Sequence, residues 1–235
     1  MSKPLAGVST ILGHLRAVSE ERARRDGLPE LAARVLAIKH YQQRRFAHTY
    51  ADLLASPRYG PAARFFMDEL YGPQDFTRRD SQFARVVPAL VHLFPRDIVA
   101  MVNTLAELHA LSEALDSRMA AALQGKVVDA SAYGRAWRAT GGPVKRRKQI
   151  ALTLQVGTTL DALTRKPLLR SSLQLMRGPA QLAGLKELQQ FLEAGFDTFK
   201  AMHGATEFLA LVGAREKRLA KALFAGEPES TSLLP

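Results

Sequence analysis

Apolar residues recur along this chain at three- and four-residue steps, the period of an α-helix with one buried face. The clearest run spans 98–123, with Ile98, Met101, Val102, Leu105, Leu108, Leu111, Leu115, Met119 and Leu123 in phase. Pro95 and Asp97 stand where that helix begins, and Gly125 stands as its C-cap. A second run, 182–202, carries Leu185, Leu188, Phe191, Leu192, Phe196, Phe199 and Met202 and stops at Gly204. A third, 206–224, carries Phe208, Leu211, Val212, Leu219 and Leu223 and stops at Gly226. Together these two predict an antiparallel C-terminal helical hairpin, whose broad Phe-rich faces suggest a homodimer.

Earlier, 31–54 reads as one long helix halted by Ser56-Pro57, and 61–70 as a short helix ended by Tyr71-Gly72-Pro73. Asp75 or Thr77 caps a helix over 78–94. Residues 143–163 are helical in composition but weakened by Gly157 and Thr158-Thr159, and 167–176 closes at Gly178-Pro179. The apolar stretch 5–15, interrupted by His14, predicts an amphipathic first helix. No period-two alternation survives, so the expectation is all-α: one compact bundle of eight or nine helices. It forms a single domain over 1–226, with a place for subdivision near 125–143, where Gly125, Gly134, Gly141, Gly142 and Pro143 cluster. The polar tail 227–235 is expected to fray.

Composition removes several classes. Of 235 residues, 47% are apolar and 23% charged, enough to pack a core and too apolar for a disordered chain. The absence of cysteine excludes disulfides, Fe–S clusters, thiolate zinc sites and a Cys nucleophile, and fits a reducing compartment. No apolar run reaches about 18 residues, so no transmembrane segment is expected and a cytoplasmic location is. The P-loop, GxGxxG, GxSxG and HExxH are all missing, and no histidine follows an acid by three positions, so the usual helical metal sites are not indicated.

Charge changes the picture more. The formal net charge is +11, and the stretch 126–186 alone holds twelve basic and two acidic residues. Its centre is Lys145-Arg146-Arg147-Lys148, at the start of a helix, where four cations oppose the macrodipole and a bound anion would relieve them. Just upstream, the sole tryptophan, Trp137, lies between Arg135 and Arg138, a composition suited to stacking. These seven residues are the candidate site for an anionic partner: nucleic acid, acidic protein or membrane surface. The alternative is a solvated basic face with Trp137 in the core.

The densest unusual stretch is Phe65-Phe66-Met67-Asp68-Glu69-Leu70-Tyr71-Gly72, followed by Asp75-Phe76-Thr77-Arg78-Arg79-Asp80. Its FFMDELYG and DFTRRD resemble the FFLEELY motif family of bacterial proteins, with Met67 and Asp68 as conservative departures. The C-terminal FLEAGFDTFKAMHGATEFLALVGARE has a similar character. The resemblance implies a bacterial, largely helical protein and supplies no activity. Physically, Phe65, Phe66, Leu70 and Phe76 would bury a helix and its exit, with Gly72 free to take positive φ. Asp68, Glu69, Asp75 and Asp80 around Arg64, Arg78 and Arg79 read as a structural ion-pair network, or as acids and bases.

His109, on the strongest amphipathic helix, is the candidate axial ligand if the chain holds haem; otherwise no cofactor is indicated. Three functions follow: a non-enzymatic binding or regulatory protein using the basic segment, a globin-like sensor holding haem or another small ligand, or an enzyme using the acids at 68–80.

Overall fold

The computed structural model describes residues 3–70, 72–123, 125, 127–140, 142–226 and 233–235. Twelve α-helices and no strand occur among them. They are α1 (Lys3–Asp26), α2 (Pro29–Thr49), α3 (Ala51–Ala55), α4 (Gly60–Phe65), α5 (Thr77–Leu93), α6 (Arg96–Ala122), α7 (Ala130–Ala139), α8 (Gly142–Thr164), α9 (Leu169–Leu175), α10 (Arg177–Leu182), α11 (Lys186–Ala201) and α12 (Thr206–Ala225). A π-helical turn, Phe66–Leu70, follows α4. The all-α expectation holds, with three helices beyond the nine anticipated.

Each addition has a local cause. The long helix expected over 31–54 breaks at Tyr50, whose fully buried ring leaves the backbone outside helical dihedrals. Helix α7 occupies the breaker-rich stretch. Asp129 caps it by accepting from the Ala132 amide at 2.7 Å, and Tyr133, Ala136 and Trp137 form a buried i, i+3, i+4 face. Gly134 is therefore an interior helical residue rather than a break, and α7 packs on α6 and α12. The third addition is the single turn α10.

Helix α6 is the centre. Its main neighbours are α1, α8 and α2, so it is wrapped on several sides. It contains a window long and apolar enough to cross a membrane, the one such helix among the described residues. Its buried positions nevertheless include Glu113 and Asp116 beside Val102, Leu115 and Met119.

Helices α11 and α12 are consecutive, as expected, but each takes α8 rather than the other as its main support. His203 and Gly204 adopt positive φ in the turn between them. That turn is pinned from outside: Asp161 of α8 accepts from the Ala205 amide at 3.0 Å, and Arg58 donates to the Met202 carbonyl at 2.9 Å. Phe199 and Phe208, part of the faces that suggested a dimer, are buried within the chain against Phe66. The tail expectation also changes. Residues 227–232 lie outside the described residues, but Leu234 is buried in a cluster with Tyr41, Tyr133 and Trp137.

Gly157 does not weaken α8; it lets α12 approach. A Cβ there would meet Leu209 Cδ2 at 2.5 Å. Gly157→Ala should therefore cost about 1–3 kcal/mol by overpacking. In the Leu209→Ala background the same change should cost clearly less, and a denaturant double-mutant cycle measures that coupling.

A charged cavity at the centre of the bundle

Between α2, α5, α6, α7, α8 and α12 lies a cavity of about 100 Å³. Its walls carry Lys39, Arg45, Glu69, Arg79, Asp80, His109, Glu113, Asp116, Arg146 and Glu216, together with Tyr133, Trp137 and apolar side chains. Charged groups lose hydration on burial, so each needs a partner supplied by the fold.

Glu113 has three. Its carboxylate accepts from Lys39 at 2.8 Å, from Arg22 at 3.3 Å and from Arg25. Burial alone would raise its pKa, but Lys39 and Arg25 outweigh that and hold the group well below the usual carboxylate range. One helical turn on, Asp116 behaves oppositely. It accepts from Gln42 at 2.9 Å, and burial dominates, pushing its pKa up despite Lys39. Two carboxylates on one helix face thus differ in proton affinity because cations from α1 and α2 reach one of them.

A second group joins α1, α5 and α6. Asp80 meets Arg22 at 2.9 Å and His109 Nε2 at 2.8 Å. Burial opposes its ionisation, but His109, Arg22 and Arg79 lower its pKa overall. Arg79 reaches Glu69 at 3.1 Å and lies over the Phe76 and Phe191 rings at 3.9 and 4.4 Å. At the far end, Arg45 pairs with Glu216, which also accepts from Tyr50 Oη at 2.7 Å. Arg146 lies 3.8 Å from the Trp137 ring centroid and donates to Gln149 Oε1 at 2.9 Å.

The seven basic-site candidates do not form one surface. Arg146 and Trp137 are buried, 3% and 5% exposed, and face the cavity. Arg135, Arg138, Arg147 and Lys148 are exposed and Lys145 is half-buried. Lys148 pairs with Glu107 at 2.5 Å, and Arg138 donates to the Leu223 carbonyl at 3.2 Å. Trp137 thus meets a guanidinium, but the internal one of Arg146, on the next helix, rather than its flanking arginines.

The acidic motif is likewise divided. Glu69 and Asp80 reach the cavity, whereas Asp75 accepts from the Thr77 amide at 2.9 Å and Asp68 accepts from Gln43 at 3.4 Å. Of the three arginines, Arg79 alone joins those acids: Arg78 pairs with Glu187, and Arg64 donates to the Leu54 carbonyl. Phe65 stacks on Phe191 and Phe66 packs on Phe199, as a buried role requires. Phe76 is half-buried beneath Arg79. Tyr71 and the side chain of Leu70 lie outside the described residues. Gly72 is required by closeness, because a Cβ would lie 2.2 Å from the Asp68 carbonyl. No group of three or more metal-ligating side chains occurs among the described residues.

Sequence reading singled out Tyr133 beside Trp137 but missed Lys39, Arg45, Glu113, Asp116 and Glu216. The available signal was on α6, where two acids fall on a helix whose apolar positions spread too widely for a single face.

Glu113→Gln leaves Arg22, Arg25 and Lys39 around an uncharged amide and should cost about 3–5 kcal/mol in denaturant unfolding. The depressed pKa of Glu113 means its contribution is complete above the unfolded carboxylate value, about 4.3, and is lost as pH falls below it. Stability measured between pH 6 and 2 should therefore fall more steeply for the parent protein than for Glu113→Gln.

No curated protein and no solved structure matches this chain. The family described as a domain of unknown function, DUF8198, matches residues 21–230, which include every cavity-lining residue except Leu15. The chain belongs to that family.

Proposed function

We propose that this protein is a binding or sensing protein that holds a small polar ligand inside its helical bundle. The observation that carries this reading is a cavity whose walls are ionised and whose lining includes two buried polar atoms without partners, Tyr133 Oη and Trp137 Nε1. Buried polar groups are nearly always satisfied, so such atoms on a cavity wall call for an occupant. At about 100 Å³ the space is several times what one water needs, roughly 10–15 Å³. On this reading the stretch resembling FFLEELY is structural on one side and cavity wall on the other, through Glu69 and Gly72. The haem form of a sensor is less well supported, because the His109 Nε2 that would face iron is engaged by Asp80.

Thermal melting against a library of small neutral, cationic and anionic compounds tests the reading. At a hundredfold excess over Kd, a ligand should raise the melting temperature by roughly 5–10 °C. Ser112→Leu, which fills the cavity from α6, should abolish the shift. A library without a single hit would refute the reading.

The charge of 126–186 favours a second reading, an anionic macromolecular partner on the outer face. Since Arg146 is internal, its test is the triple reversal of Lys145, Arg147 and Lys148 to Glu. Salt-sensitive retention on heparin should be lost at an unchanged melting temperature; unchanged retention would count against it.

A further inference from the structure

The reading above leaves the ligand's chemistry open, and one end of the cavity narrows it. There the Tyr133 ring packs on Tyr41 at 4.6 Å and on Trp137 at 5.9 Å between centroids. Trp137 is covered by Arg146, which Gln149 holds in place. Arg45 is anchored through Glu216. Every polar side chain at this end is fixed by a neighbour.

Three buried atoms here still have no hydrogen-bond partner: Tyr133 Oη, Trp137 Nε1 and Arg45 Nε. Tyr133 is fully buried, Trp137 is 5% exposed and Arg45 4%. All three atoms carry a hydrogen to donate, and two of them can do nothing else. Water is a poor complement to such a set. A water accepting from the indole must place two hydrogens of its own, while Glu216 Oε1 already accepts from Arg45 and Tyr50 and Asp116 Oδ1 from Gln42. A ligand that brings only acceptors has no such conflict.

The charge balance points the same way. Arg45 and Arg146 both act on the Tyr133 hydroxyl, opposed by Glu216 and Asp116. The two cations weigh more on that hydroxyl than the two carboxylates do. The walls also carry apolar side chains, Ile150, Leu154 and Val212 among them. A volume of about 100 Å³ limits the occupant to a small molecule.

We infer that the ligand is a small monocarboxylate, its oxygens accepting from Tyr133 Oη and Trp137 Nε1 between Arg45 and Arg146, and its short apolar body lying against Ile150, Leu154 and Val212. This deepens the interior-ligand reading and rests on it. Trp137 is the only tryptophan, so its emission reports occupancy of this end directly.

The test titrates the full-length protein with acetate, propionate, butyrate and benzoate. Propionamide, benzamide and inorganic phosphate are titrated in parallel at matched ionic strength. Trp137 emission is the readout, with calorimetry as a second. At least one carboxylate should give a saturable response, at least tenfold tighter than its amide and than phosphate. Tyr133→Phe, which keeps the ring packing, should weaken that carboxylate about tenfold, while Arg96→Ala, exposed and away from the cavity, leaves it unchanged. Should Tyr133→Phe fail to fold, Trp137→Phe, followed by calorimetry, is expected to show the same loss. An amide or phosphate that binds as well as the carboxylates overturns the monocarboxylate and leaves the interior site standing. Absence of a saturable response to every carboxylate also overturns it, and the compound library separately decides whether the cavity binds anything.

Discussion

Glu113 is the point on which the rest of this structure depends. A carboxylate buried on α6 is tolerable only because Arg22 and Arg25 of α1 and Lys39 of α2 converge on it. That convergence fixes the relative position of three helices. It also explains why the centre of the bundle is not simply apolar. Six charged residues are buried among the described ones, Arg25, Arg45, Glu113, Asp116, Arg146 and Asp161. Ion pairs have preferred geometries and cannot collapse to fill space as leucines can. A cavity bounded by them stays open, and its lining stays polar.

The three largest apolar clusters around this centre do the ordinary work of folding. One gathers Phe66, Phe199 and Phe208 near the α11–α12 turn, another Tyr41, Tyr133, Trp137 and Leu223, and a third Ile11, Phe83 and Val87. Burial on this scale drives association of the helices without specifying their polar interior. The charged centre adds the specification. Asp161 extends the same logic outward, holding the α11–α12 turn through the Ala205 amide while pairing with Arg165.

Much of the fold is legible in the sequence, because helical periodicity is local. The α5, α6, α8 and α12 boundaries fall within a few residues of those that spacing predicts. What escapes is set by distant residues. The break at Tyr50 reflects its burial among Phe46, Leu53 and Phe208, and α7 is obscured by glycines that tolerate a helix once α6 and α12 cover it. The site is the least legible part. Glu113 meets its cations across 74 to 91 residues of chain, and no local pattern encodes such a meeting. Lys145-Arg146-Arg147-Lys148 looks like one basic surface in sequence, yet a helix sends successive side chains about 100° apart. Arg146 therefore turns inward onto Trp137 while Arg147 and Lys148 lie exposed.

On the proposal of an interior ligand, the donors at the Tyr133–Trp137 end await an acceptor from outside the chain. With one tryptophan, a ¹⁵N–¹H correlation spectrum holds one indole cross-peak, and its position reports whether Nε1–H is bonded. An indole without a partner places its proton resonance at the high-field, unbonded position in the ligand-free protein and moves it downfield as carboxylate is added. A resonance already downfield and indifferent to every added compound would place the partner inside the protein and contradict the account.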